Sequence, residues 1–153
     1  MENYESYIGT TLDERYKINK LCGVGGMAIV FRAEDMLMNR TVAIKMLKDD
    51  IANDAESVQR FINESKAVAM LSHENIVNIY DVSVKEKLKY IVMEYIEGTN
   101  LKVYAKRKGV LELDEMLGIT EQILRALDHA HSKGVIHRDI KPQNIMVLKN
   151  GLI

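Results

Sequence analysis

The chain has 153 residues, of which 47% are hydrophobic and 28% charged, and 21 Lys and Arg stand against 22 Asp and Glu for a net charge of -1. That length fits one modest domain or two small lobes with a real core, which argues against disorder, and the interspersed charges give no field that selects nucleic acid or an anionic membrane. The one cysteine, Cys22, excludes an internal disulfide and suits a reducing compartment. Residues 1–6 have neither a basic start nor an apolar run, and no later stretch reaches the roughly 18 uncharged residues of a membrane span. A cytoplasmic chain with no membrane segment is therefore expected.

Residues 1–15 are polar and aperiodic and read as a leader strapped onto the first strand. From Tyr16 the pattern approaches period two, with Tyr16 and Ile18 on one side and Lys17 and Asn19 on the other, until Leu21, Cys22 and Gly23 end the strand. The run Gly23-Val24-Gly25-Gly26-Met27-Ala28-Ile29-Val30 leads into a second strand at residues 31–34, so its glycines sit in a hairpin. No helical pattern follows Ala28, which excludes a dinucleotide fingerprint, and no Gly-Lys-Ser/Thr follows, which excludes a P-loop. Two readings stay open: an ordinary glycine turn, or a loop whose backbone N–H groups approach phosphate oxygens because no Cβ intervenes.

Residues 41–47, T-V-A-I-K-M-L, form an apolar strand interrupted by Lys45, a charge that asks for a partner. Residues 53–71 read as a helix that starts at a capping box of Asn53 and Glu56 and carries Val58, Phe61, Ile62, Ser65, Val68 and Ala69 as its apolar stripe. Glu64 lies beside that stripe, either as the ion-pair partner of Lys45 or as a plain surface charge. Strands follow at residues 76–82 and 89–95, joined by the charged turn Lys85-Glu86-Lys87. Five strands and one helix make a small antiparallel lobe, with its boundary near residues 94–98.

Beyond it, residues 101–108 form a short helix whose Lys106, Arg107 and Lys108 are a solvated face near the negative end of the helix dipole. Residues 113–132 form the clearest helix. Leu113, Met116, Leu117, Thr120, Ile123, Leu124, Leu127 and His131 form one stripe, Asp114 and Glu115 favour its start, and Gly134 ends it. His129 and His131, two apart, point to different sides and are poor candidates for chelating a metal together. In V-I-H-R-D-I-K-P-Q-N-I-M-V, residues 135–147, a polar loop lies between two apolar strands. Its spacing fits phosphoryl transfer, with Asp139 accepting the proton of an attacking hydroxyl, Lys141 placing charge near the transferred group and Asn144 offering an oxygen to Mg²⁺. An isolated H-R-D triplet would more simply be a hairpin turn.

Eight consecutive positions, His137 to Asn144, resemble the catalytic loop H-R-D-[IL]-K-P-x-N of eukaryotic-type serine/threonine protein kinases. The glycine hairpin resembles that family's G-x-G-x-x-G-x-V with Ala28 for the third glycine, V-A-I-K its third strand, and R-F-x-x-E its helix C. In motif detail the chain is similar to the bacterial group whose members often carry a membrane span and extracellular PASTA repeats. The resemblance implies an α+β, two-lobe kinase fold: an N-lobe over 16–95, then the hinge and part of the C-lobe over 96–153. It implies ATP and Mg²⁺, with Mn²⁺ as an alternative ion, and proteins with Ser or Thr hydroxyls as substrates. Cys22, Gly23, Val24, Gly25, Gly26, Met27, Ala28, Ile29 and Val30 would cover the nucleotide, with Ala43 beside Val30 over the base. Lys45 and Glu64 would serve the phosphates, and His137 would be a hydrogen-bonded structural residue. Met93 would be the gatekeeper, against a competing reading as plain core, and the Glu94 carbonyl and Ile96 amide would bond the adenine. The sequence stops at Ile153 with no D-F-G, so Asn144, with Asp139, is the expected metal ligand. The chain is thus expected to be the N-terminal portion of a kinase domain. The alternative is a catalytically incompetent nucleotide-binding or interaction fragment, whose uncovered helix 113–132 would favour self-association.

Overall fold

A computed structural model describes residues 4–85 and 88–153. The first three residues of the expected leader, and Glu86 and Lys87 of the expected turn, lie outside the described residues. The chain forms two compact units, one running to Met70 and resuming over Asn78–Tyr95, the other made of Leu71–Val77 and Ile96–Ile153. Residues 71–77, expected in the first lobe, thus belong to the second unit.

The first unit is an antiparallel sheet of six strands rather than five: β1 (Thr11–Leu12), β2 (Tyr16–Val24), β3 (Ala28–Asp35), β4 (Arg40–Leu47), β5 (Ile79–Val84) and β6 (Lys89–Glu94), ordered β1-β2-β3-β4-β6-β5. Helices α1 (Asp49–Ala52) and α2 (Ala55–Ala69) lie between β4 and β5 in the chain. Period-two alternation gives the sheet one apolar face, where Tyr16, Ile18, Phe31, Ala33, Val42, Ile44 and Val92 are buried together. Each large side chain there contributes about 1.5–3 kcal/mol of transfer free energy.

The added strand lies in the segment read from sequence as an aperiodic leader. Thr11 and Leu12 pair with Lys17 and Tyr16, across a turn closed by Arg15 N–H donating to the Leu12 carbonyl at 3.0 Å. What fixes it is side-chain anchoring, which no periodicity reports. Arg15 grips buried Asp35 through two bonds of 2.7 and 2.8 Å, while Lys85 and the Tyr90 hydroxyl both donate to Asp13.

Helix α2 starts one residue later than the capping box implies. Asp54 is the cap, accepting from Ser57 N–H at 3.0 Å, and Asn53 instead donates from Nδ2 to the Asp49 carbonyl of α1 at 2.9 Å. Of the expected stripe only Phe61 and Ser65 are fully buried. Phe61 packs with Leu47 and Ile91, on the opposite sheet face from the main core.

The second unit contains β7 (Gly98–Asn100), α3 (Leu101–Lys108), α4 (Leu113–Ser132) and β8 (Met146–Leu148). Strand β7, unforeseen in the sequence, pairs with β8, and Gly98 faces the Val147 carbonyl so closely that a Cβ would press into it. Asn100 caps α3 by accepting from Val103 N–H, and Tyr104 and Lys108 of α3 both bond Glu115 of α4. Residues 71–77 are tied to α4 by Asn75 Nδ2 donating to Gln122 Oε1 at 3.1 Å.

The apolar stripe of α4 is largely uncovered, as expected of helix 113–132: Leu113, Met116, Leu117 and Leu124 are exposed, while Ile119 and Ala130 are buried. One expectation fails here: Val135 and Ile136 do not form a strand, and after Gly134, at φ +74°, the chain runs irregularly to a 3₁₀ turn at Pro142–Asn144.

Candidate active site

In the first unit, the pairing register gathers most of the singled-out residues on one face, because directly opposed residues of an antiparallel ladder point to the same side. Gly23 stands opposite Val30, Val30 opposite Lys45, and Lys45 opposite Ile91. The neighbouring row holds Arg32, Ala43 and Met93, and the row on the other side holds Ala28 and Leu47. Ile29 does not join them: only 1% exposed, it points into the main core with Val24 as its cross-strand neighbour, so it can offer a ligand only backbone.

The hairpin between β2 and β3 is closed by Gly25 N–H donating to the Ala28 carbonyl at 2.8 Å, and Lys48 N–H reaches the Met27 carbonyl at 3.1 Å. Cys22 is exposed beside a register shift between the Leu21 and Gly23 pairs. Neither Gly23 nor Gly26 has a positive φ, and a Cβ on either would meet nothing within 4 Å. Backbone conformation and packing therefore do not explain these two glycines. What their missing Cβ atoms leave is open access to the main chain, which a phosphate requires.

Lys45 and Glu64 are not an ion pair in this structure. Both are exposed, and among the described residues neither forms a salt bridge. The argument from burial fails because Lys45, though mid-strand, keeps its ammonium in water and has no desolvation to offset. Glu94 ends β6 with its carboxylate bound by Asn78 Nδ2 at 2.9 Å and its own N–H donating to the Asn78 carbonyl at 2.8 Å. In the second unit the Ile96 carbonyl accepts from Gly98 N–H at 3.0 Å, and the Ile96 N–H has no backbone acceptor among the described residues.

The loop of the second unit converges on one carboxylate. Lys141 Nζ lies 2.8 Å from Asp139 Oδ2, and Asn144 Nδ2 donates to the same oxygen and to the Asp139 carbonyl, both at 2.9 Å. The 3₁₀ turn makes this possible, with Asn144 N–H donating to the Lys141 carbonyl at 2.9 Å. Asp139 N–H in turn donates to His137 Nδ1 at 3.3 Å, and the residue between them, Arg138, is left-handed at φ +63°. The Lys141 ammonium, helped by the Asn144 amide, holds the Asp139 carboxyl below the ordinary carboxylate range, so it is ionised at neutral pH. Because Asn144 has committed Nδ2, its Oδ1 is the atom left to meet a cation. Among the described residues no three His, Cys, Asp or Glu side chains cluster as a metal site. His129 packs against His73 with the rings tilted at 40° and their centroids 5.3 Å apart.

A six-stranded antiparallel sheet with one long packed helix, followed by a helical unit whose loop gathers aspartate, lysine and asparagine, defines an α+β fold of the protein-kinase type. The chain belongs to the protein kinase domain family, whose model matches residues 16–153. It is 48% identical over 140 residues to the serine/threonine-protein kinase PrkC of Bacillus subtilis, covering 92% of this chain and 22% of that protein. It is 38% identical over 151 residues to PknA of Mycobacterium tuberculosis, covering 95% of this chain and 35% of PknA. The crystal structure of the Mycobacterium tuberculosis PknI kinase domain superposes with a TM-score of 0.81 at 28% identity, over 93% of this chain and 58% of that one. The chain thus spans between a fifth and about a third of the length of these curated relatives. No helix among the described residues is long and apolar enough to cross a membrane.

Proposed function

We propose that the chain is the nucleotide-gripping and hydroxyl-activating part of an ATP-dependent serine/threonine protein kinase. The observation that carries this reading is the exposed loop in which Lys141 and Asn144 converge on the Asp139 carboxylate. Asp139, ionised and fixed by two donors, accepts a hydrogen bond from a substrate Ser or Thr hydroxyl and takes its proton as the new O–P bond forms. Lys141 supplies positive charge beside the transferred phosphoryl group. In the sheet unit, the glycine hairpin offers N–H groups to the phosphates, Lys45 pairs with them, and Val30, Ala43 and Met93 line the base surface. The backbone of Glu94 and of Ile96 bonds the adenine edge. Asn144 Oδ1, with Asp139, suits a divalent cation such as Mg²⁺, which when bound neutralises charge on the phosphate oxygens.

The test is phosphate transfer from γ-labelled ATP to a generic protein substrate, comparing the chain with Asp139→Asn. Transfer should fall by about 10²–10⁴-fold in the variant; a variant within threefold of the parent would refute the assigned base. A second reading, nucleotide binding without turnover, is favoured by the open Lys45–Glu64 pair. It is distinguished by an ATP-dependent rise in melting temperature that Lys45→Met abolishes while no transfer is detected.

A further inference from the structure

We propose that Arg32 contacts the nucleobase and sets the affinity of the site for the base rather than for the phosphates; this rests on the nucleotide reading of the same sheet face. Arg32 stands directly opposite Ala43, which stands opposite Met93, so it belongs to the row assigned to the base. The row with Gly23, Val30 and Lys45 lies two residues along β3, about 7 Å away toward the glycine hairpin, where the phosphates are assigned. Arg32 is therefore on the far side of the base surface from the phosphates.

Its side chain heads farther still from the hairpin. The guanidinium carbon lies 5.5 Å from the centroid of the Tyr95 ring, just past the end of β6. Strand β4 lies between β3 and β6, so Arg32 and Tyr95 meet across a middle strand, a span of about 10 Å between its neighbours. Opposite Arg32 that strand carries the small residue Ala43, which leaves room for the contact. A planar cation held against an aromatic ring has its second face and its N–H edge left for a ligand. Among the described residues no carboxylate forms a salt bridge with Arg32, so a structural ion pair does not account for it. Ala43 is only 7% exposed at this crossing, so a base resting against Val30 beside it would meet that guanidinium at its outer edge, by stacking and by hydrogen bonds to ring acceptors.

The experiment is calorimetric titration of the full chain, Arg32→Leu, Arg32→Lys, Tyr95→Leu and the Arg32→Leu/Tyr95→Leu double variant with ATP and with adenosine. Arg32→Leu should weaken both ligands by the same factor, about 3- to 30-fold, and Arg32→Lys by less. Tyr95→Leu should weaken binding in the parent and add little once Arg32 is gone, because Tyr95 acts by holding the guanidinium. A loss confined to ATP would make Arg32 a phosphate ligand and overturn the proposal, as would unchanged affinity for both. Parent protein that binds neither ligand at millimolar concentration would sink the nucleotide reading itself, and Arg32's role with it.

Discussion

Asp35 offers the sharpest quantitative test of how this fold is held. Its side chain is fully buried at the end of β3 and accepts from Arg15 Nε and Nη2 at 2.7 and 2.8 Å, from Met38 N–H at 3.3 Å and from Arg40 Nε at 3.4 Å. The Arg15 guanidinium, reinforced by Met38 N–H and Arg40, outweighs burial and lowers its pKa from 3.8 to about 2. At about 1.4 kcal/mol per pH unit, that shift corresponds to about 2.5 kcal/mol of stability at neutral pH. Asp35→Asn keeps the shape but turns an amide N–H₂ toward Arg15 donors and leaves a guanidinium without its counter-charge. Removing one partner of a buried pair costs about 3–5 kcal/mol, and Arg15 retains some access to water, so a loss of about 2–4 kcal/mol is expected. Since the folded-state pKa is depressed, the stabilisation is complete above about pH 5 and is lost as the pH falls through 4 toward 2. Urea unfolding followed by circular dichroism at pH 7 and pH 3 measures both. A gap under 0.5 kcal/mol at pH 7, or one that does not shrink on acidification, would refute the reasoning.

Two further substitutions test the local geometry. Glu14 and Asp13 are left-handed at φ +55° and +49° in the turn between β1 and β2; Glu14→Gly relieves that strain at some cost in unfolded-state entropy, for a net gain of about 0.5 kcal/mol in the same urea titration. Gly98→Ala drives a methyl into the Val147 carbonyl, so it should cost about 1–3 kcal/mol and speed amide hydrogen exchange in β7 and β8 while leaving β2–β4 protected.

The parts of this protein legible in its sequence are those set by neighbours in the chain. Helices at 101–108 and 113–132 have the bounds expected from the sequence, because the groups that end them act within a turn: Gly134 closes the second, and Asn100, which the sequence pattern did not single out, caps the first. The loop of Asp139, Lys141 and Asn144 is local in the same way: the three lie within six positions, and the 3₁₀ turn at Pro142–Asn144 brings Asn144 back to Asp139. Which face of a helix is buried is a different kind of question, since it depends on what packs there. In α4 Leu113, Met116, Leu117 and Leu124 are exposed, while the face with Ile119 and Gln122 is tied to residues 71–77 through Asn75. Periodicity marks α4 as amphipathic, and whether its stripe is covered depends on what packs against it. Lys45 failed in the opposite sense: a mid-strand lysine looks buried only if the sheet face above it is covered, and here its ammonium remains in water. The side-chain pairs that cross between distant segments, Arg15 with Asp35, Tyr90 with Asp13 and Arg32 with Tyr95, have no local signature. They become visible only once the sheet is assembled, Arg15 with Asp35 through the β2–β3 pairing and Arg32 with Tyr95 through the β3–β4–β6 register, and the same pairing turns a scattered set of glycines, alanines and one lysine into a single surface.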